Sequence, residues 1–202
     1  MQYPKLDTEF DFFTSDHHFD HDRIIPFCDR PFSSTGHMNG EHIARWNRNV
    51  KPWHKVLHHG DLKLGSFENG VMLTSALNGD RYLLPGNHDR LSKATNKPAY
   101  IEKFRPVYEA AGWTILDEVV ELTIGGRRVL ASHYPYRGDS RKDVERYREH
   151  RPVDTGLPLI HGHTHSTEAT RPGSREFHVG VDAHDFTPVP RATIEAWLDT
   201  LP

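Results

Sequence analysis

Five short apolar segments of this 202-residue chain each run straight into a polar cluster rich in histidine, aspartate or asparagine. Residues 10–14 lead into Ser15-Asp16-His17-His18, residues 55–57 into His58-His59-Gly60-Asp61, and residues 81–84 into Pro85-Gly86-Asn87-His88-Asp89. Residues 128–131 lead into Ser132-His133, and residues 157–160 into His161-Gly162-His163-Thr164-His165. Short apolar runs closed by turn residues read as buried strands. Helical periodicity lies between them, at residues 40–50, 66–77 and 97–111. Residues 119–124 and 127–131, joined by Gly125-Gly126, read as a hairpin. Strands alternating with helices early, and hairpin-linked strands later, predict a layered α/β fold with mixed sheets. The length suits one domain over residues 1–202. In α/β sheets the crevice beyond the strand ends binds ligands. Five converging ends would gather carboxylate, amide and imidazole groups there.

Composition narrows the chemistry. Twenty-five Lys and Arg against 28 Asp and Glu leave a net charge of −3, which argues against a binder of long nucleic acid. No apolar run approaches the roughly 18 residues of a membrane span. The opening MQYPKLD lacks a basic-then-apolar leader, so a cytoplasmic protein is expected. Cys28 stands alone, which excludes an internal disulfide and a cysteine zinc cluster. It reads as a small, partly buried apolar residue. The 16 histidines are the abnormal number. Imidazole is the commonest metal ligand and the usual acid–base group near neutral pH.

Asp16 and His18 are two apart, so on an extended strand end both face one way. Gly60-Asp61 alone reads as a turn. A turn also explains the Gly and Asn of Gly86-Asn87-His88-Asp89, but not the His-Asp that follows. Gly162-His163-Thr164-His165 offers two more imidazoles two apart, and His133 adds another. This ordered set, Asp-x-His, Gly-Asp, Gly-Asn-His-Asp, His and Gly-His-x-His, resembles the calcineurin-like metallophosphoesterase superfamily in its compact bacterial and phage form. The matches run from Asp16 to His165.

The resemblance implies two mixed sheets packed as a sandwich and flanked by helices. It also implies a two-metal site, with Asp16, His18 and His165 on one ion, Asn87, His133 and His163 on the other, and Asp61 between them. His88 would lie beside the phosphate, with Asp89 holding its imidazole. Oxygen and imidazole donors without thiolate suit Mn, Fe or Zn as the two divalent ions, without choosing among them. The run Asp16-His17-His18-Phe19-Asp20-His21 nearly matches the His-x-His-x-Asp-His of metallo-β-lactamase-like hydrolases, but Gly86-Asn87-His88-Asp89 has no role in that reading.

Around this set, His21 reads either as a pocket residue near the phosphate or as a plain loop histidine. His17, His58, His59 and His161 flank the ligands and read as packing or supporting groups, as do Asp182 and His184. Residues 137–151 carry six basic side chains and read as a solvated segment or as a cleft wall; in the latter case Tyr136 and Arg137 would meet the substrate. The activity implied is hydrolysis of a small phosphoester by hydroxide held at a dinuclear centre. Nucleotide phosphodiesters, cyclic nucleotides among them, come first, and phosphomonoesters or phosphoproteins second. A non-catalytic metal-bearing scaffold is the reading from another class, and it predicts a lost ligand or a lost His88.

Overall fold

Alternate side chains sort the strands into layers. In β1 (Phe12–Thr14) and β2 (Lys55–His58), Phe13 and Leu57 enter one apolar cluster while Phe12 and Val56 enter another. The first cluster is the filling of a sandwich. It also takes Val120, Leu122 and Ile124 of β5 (Val119–Ile124), Val129 and Ala131 of β6 (Arg127–Ser132), Ile160 of β7 (Leu159–His161) and Phe177 of β8 (Glu176–His178). Ile194, Trp197 and Leu198 of a C-terminal helix, α5 (Arg191–Asp199), join it. The second cluster lies under helices. Trp46 of α2 (Thr35–Asn49), Val71 of α3 (Phe67–Leu73), and Ile101 and Tyr108 of α4 (Pro98–Ala110) cover Val56, and Leu83 of β3 (Asp80–Leu83). A four-residue helix, α1 (Ile24–Phe27), follows β1.

This computed structural model describes residues 2–65, 67–141 and 144–202. With β4 (Trp113–Ile115) and β9 (Val189–Pro190), five strands form one sheet in the order β4-β3-β2-β1-β9. It is parallel except for β9. The other sheet, β5-β6-β7-β8, is antiparallel at its hairpin and parallel beyond it. Both sheets are thus mixed, packed as a sandwich and flanked by helices, as expected. The hairpin runs one residue longer than expected, to Ser132.

α1 and α5 fall outside the three expected helical segments, and two of the expected helices differ in extent. α2 starts at Thr35 because Ser34 caps it, its Oγ accepting the His37 N–H at 3.1 Å. Gly36 and Gly40 interrupt the apolar pattern there. The helix expected at residues 66–77 is α3 followed by a 3₁₀ turn, Thr74–Ala76, while Ser66 lies outside the described residues. No helix among the described residues is long and apolar enough to cross a membrane.

Parallel β1, β2 and β3 end on one edge, as do β6, β7 and β8. Loop ties fasten neighbouring strand ends within each edge, and one joins the two edges. Gly162 N–H donates to His133 O at 3.0 Å, Asp16 N–H to Gly60 O at 3.0 Å, and Val181 N–H to Ser15 O at 3.1 Å.

Candidate metal centre

The loops beyond these strand ends hold an uncommon backbone. Asp16 (φ 60°), His18 (52°), Asp61 (53°), His163 (71°) and His165 (52°) all lie in the left-handed region. A non-glycine residue there costs roughly 1–2 kcal/mol, and such strain gathers at functional sites. Glycine provides the close approaches. A Cβ on Gly86 would lie 2.3 Å from Asp61 Oδ1, and one on Gly162 would lie 2.0 Å from Ser15 Oγ. Both positions therefore admit only glycine if the loops are to meet.

What the loops bring together is two groups of donors. Asp16, His18 and His165 offer ligand atoms all within 4.8 Å of one another, and so do Asp61, His133 and His163. Asp61 stands between the groups. Its Oδ2 lies 3.6 Å from His18 Nε2 and 3.6 Å from His133 Nε2. Its Oδ1 is fixed by the His88 backbone N–H at 2.8 Å. Asn87 Oδ1 lies 3.2 Å from His133 Nε2, on the second group. The sequence-derived set of seven thus converges: Asp16, His18, Asp61, Asn87, His133, His163 and His165.

Their surroundings suit a cation. His133 donates its Nδ1–H to His59 O at 2.7 Å, so its Nε2 lone pair faces the group. Asp139 Oδ2 faces His163 Nε2 at 3.3 Å, which turns the Nδ1 lone pair the same way. These two nitrogens are 3.2 Å apart. Lone pairs so close repel unless a positive ion lies between them. Burial holds His18 well below the ordinary histidine value and His163 at about 3, so both are neutral, as ligands must be. Burial would raise Asp61, but the facing imidazoles of His133 and His88 hold it at about 2. His165 donates Nδ1–H to Asp182 Oδ2 at 2.9 Å and presents Nε2 to His18 Nε2 at 3.2 Å. Against the effect of burial, that bond to Asp182 raises His165 well above its ordinary value, so a metal ion bound there would displace a proton from its Nε2. These donors fit divalent metal ions.

The remaining expectations divide. His88, part-exposed, directs Nε2 to within 3.9 Å of Asp61 Oδ2. Asp89 does not hold the His88 imidazole: its carboxylate accepts the backbone N–H groups of Asp61 (2.9 Å), Gly86 (2.9 Å) and Leu62 (3.2 Å). Three amides converge on it because the β2 and β3 loops cross there. His21 lines the cleft over the site, its ring 5.4 Å from that of His18. Tyr136 and Arg137 are elsewhere. Tyr136 donates its hydroxyl to Leu157 O at 3.0 Å, and Arg137 lines a separate small cavity with His161 and His178. The chain turns away after Pro135, and it is Arg141 and Arg146 that return to the cleft. Lys142 of the same basic segment lies outside the described residues.

His17 pairs with His58 through Nδ1 and Nε2 at 2.9 Å and stacks on Phe19, so the lactamase-like run does not converge. Asp182 is the carboxylate on His165, whereas His184 donates to His178 O at 2.8 Å. Sequence reasoning missed two residues. Asp139 faces His163, and buried Arg30 grips Asp182 bidentately at 2.8 and 2.9 Å. Arg30 also donates to Asp16 O at 2.8 Å and His17 O at 3.0 Å. No periodicity marks either residue.

No protein-family model matches the chain. The Gene 66 protein of Mycobacterium phage D29 is 34% identical to it over 192 residues, covering 88% of this chain and 90% of that relative. The chain belongs to the Gene 66 protein family. The Gene 66 protein of Mycobacterium phage L5 is 31% identical over 182 residues, covering 85% of this chain and 86% of its own length. Among solved structures, the protein of unknown function AQ665 from Aquifex aeolicus superposes with a TM-score of 0.67 at 22% identity. That match covers 92% of this chain and 97% of AQ665, so the Gene 66 family fold is shared well beyond the phages.

Proposed function

We propose that this chain is a metal-dependent phosphoesterase that hydrolyses phosphodiesters of nucleotide type at a centre of two divalent ions. The observation that carries the reading is the position of Asp61, whose Oδ2 is 3.6 Å from a histidine of each donor group. Asp16, His18 and His165 would hold one ion, Asn87, His133 and His163 the other, and Asp61 both. The order of these residues along the chain, which resembles the calcineurin-like metallophosphoesterases, supports the same reading. Bound divalent ions would supply Lewis-acid chemistry, a positive field for the phosphate and water of lowered pKa, which removes the need for a serine or cysteine nucleophile.

The chain's own groups do the rest. Asp139 and Asp182 orient the imidazoles of His163 and His165. His88, whose backbone N–H donates to Asp61 Oδ1 at 2.8 Å, borders the cleft, and in this reading its imidazole supplies a proton. As water adds to phosphorus and the bond to the leaving oxygen breaks, that proton passes to the departing oxygen, while the surplus proton of the water is released to solvent, from which His88 is reprotonated. The products are a phosphomonoester and an alcohol.

The test is metal removal and return. Protein stripped by a chelator should not hydrolyse bis(p-nitrophenyl) phosphate or an adenylyl dinucleotide. Adding Mn²⁺, Fe²⁺, Zn²⁺ or Mg²⁺ separately should restore turnover with at least one ion. Undiminished hydrolysis by the metal-free protein would overturn the reading.

A further inference from the structure

The cleft above the donor groups has a volume of about 220 Å³ and two unlike walls. One wall is α1. Phe27 at its end is 60% exposed, an unusual position for a phenylalanine, and its ring meets that of His165 edge-on, with centroids 6.4 Å apart. Arg23, four residues earlier, lines the same cleft. Between them Ile24, 2% exposed, roots α1 in a cluster with Phe32, Met38, Val181 and Phe186. The platform is therefore anchored. The opposite wall carries Arg141 and Arg146. Arg146 is bound by Asp139 at 2.5 Å, whereas Arg23 and Arg141 make no ion pair with any described residue.

A scissile phosphate would be neutralised by the metal centre and leaves these two guanidinium groups unused. A single-phosphate cyclic nucleotide leaves them unused as well. Resting on the phosphoesterase reading, we infer that the substrate is a linear nucleotide whose base stacks on Phe27 and whose second phosphate lies between Arg23 and Arg141. Base–aromatic stacking accepts every base, because each has a π-face. Guanidinium grips phosphate bidentately. Phe27 then sets the class of substrate, and Arg23 and Arg141 select the additional phosphate.

The experiment compares pApA, ApA and 3′,5′-cyclic AMP with the Mn²⁺-loaded protein, following adenosine 5′-monophosphate, which all three yield. Bis(p-nitrophenyl) phosphate serves as a fourth substrate. kcat/KM should be highest for pApA, by about tenfold over ApA, and the gap should narrow as salt rises from about 50 to about 300 mM. Phe27→Ala should lower kcat/KM for both dinucleotides by about tenfold or more. Arg141→Ala should lower pApA by about tenfold and ApA by much less, reducing the pApA:ApA ratio. Both side chains are at the surface of the cleft, and matching thermal unfolding would show the variants folded. Equal rates for pApA and ApA, or equal losses on the two with Arg141→Ala, would overturn the inference while leaving the phosphoesterase reading in place. Failure to hydrolyse any of the four substrates with any divalent ion would overturn both.

Discussion

The carboxylate of Asp89 accepts the backbone N–H of Asp61 at 2.9 Å, so the loop after β3 fixes the residue that stands between the two donor groups. The same oxygen accepts Gly86 N–H, and the other accepts Leu62 N–H. An amide offers one acceptor oxygen, so Asp89→Asn must leave at least one buried N–H without its partner. That costs about 1–3 kcal/mol. Burial pushes Asp89 up to about 7, so the comparison belongs at about pH 8, where the carboxylate is ionised. Asp89→Asn should unfold at lower denaturant there and bind metal more weakly. A role confined to orienting His88 predicts unchanged stability and a loss in kcat alone.

Asp61 and Asn87 should differ in what their loss does to the metal. Asp61 Oδ2 faces both donor groups, whereas Asn87 Oδ1 faces only the group of His133. Asp61→Ala should therefore reduce total bound metal more than Asn87→Ala, as read by elemental analysis of dialysed protein. Equal or reversed losses would show that Asp61 serves one ion at most.

Arg30, Asp182 and His165 form a buried chain whose two ends do different work. The Asp182 bond on His165 Nδ1 fixes which nitrogen faces the site, so Asp182→Asn should weaken metal binding by about 10–100-fold. Arg30→Met leaves Asp182 charged without its partner and frees the carbonyls of Asp16 and His17. Removing one side of a buried ion pair costs about 3–5 kcal/mol. Its main effect should be on stability, measured by chemical denaturation in the presence of chelator. A small stability loss for Arg30→Met would mean that the pair is worth little to the fold.

Much of this arrangement was legible before any coordinates, for a physical reason. Strand β2 and the β5–β6 hairpin are short apolar runs with sharp polar ends, and the glycine pair at 125–126 supplies positive φ at both turn positions. The seven converging donors could be listed because their ordered motifs resemble those of the calcineurin-like metallophosphoesterases, and all of them lie within four residues of the end of a buried strand. Residues further along a loop lack that proximity. Arg137 is four residues past His133 yet faces another cavity, while Arg141 and Arg146 come back to the cleft. Edge strands β4 and β9 have three and two residues, too few for a period to show. Asp139 and Arg30 act through tertiary contacts alone, which no local pattern encodes.

His42 offers a test of the core away from the donors. Its ring lies among Phe19, Phe32 and Phe186, at centroid distances of 5.5, 5.6 and 5.8 Å. Burial, reinforced by the charges of Arg30 and Arg45, holds it well below the ordinary histidine value. The unfolded chain takes up a proton at this residue below about pH 6.5 and the folded chain does not, so folding stability falls as pH drops through that point. His42→Phe removes that proton uptake. Its stability relative to the parent should rise as pH falls from about 7 to about 5, by up to about 1.4 kcal/mol per pH unit. A pH-independent difference would show that the folded protein takes up a proton at His42 as readily as the unfolded chain does.

His88 allows proton donation to be separated from charge stabilisation. Its ring is 39% exposed, borders the cleft and is no member of either donor group, so His88→Ala should leave metal content intact. If it donates a proton to the leaving oxygen, its value depends on how much that oxygen needs one. A ribose alkoxide departs poorly unprotonated, whereas nitrophenolate leaves readily without help. General acid catalysis is typically worth about 10²–10⁴-fold. His88→Ala should therefore lower kcat/KM for a dinucleotide by a factor in that range and for bis(p-nitrophenyl) phosphate by far less. A group that only stabilises charge on the phosphoryl oxygens would cost both substrates similar factors, because those oxygens carry much the same charge in each. A turn residue with no chemistry would cost neither beyond the loss of folded protein. Measuring both substrates at matched metal occupancy, with thermal unfolding as the control, separates the three roles, and equal losses would assign His88 to electrostatic stabilisation instead.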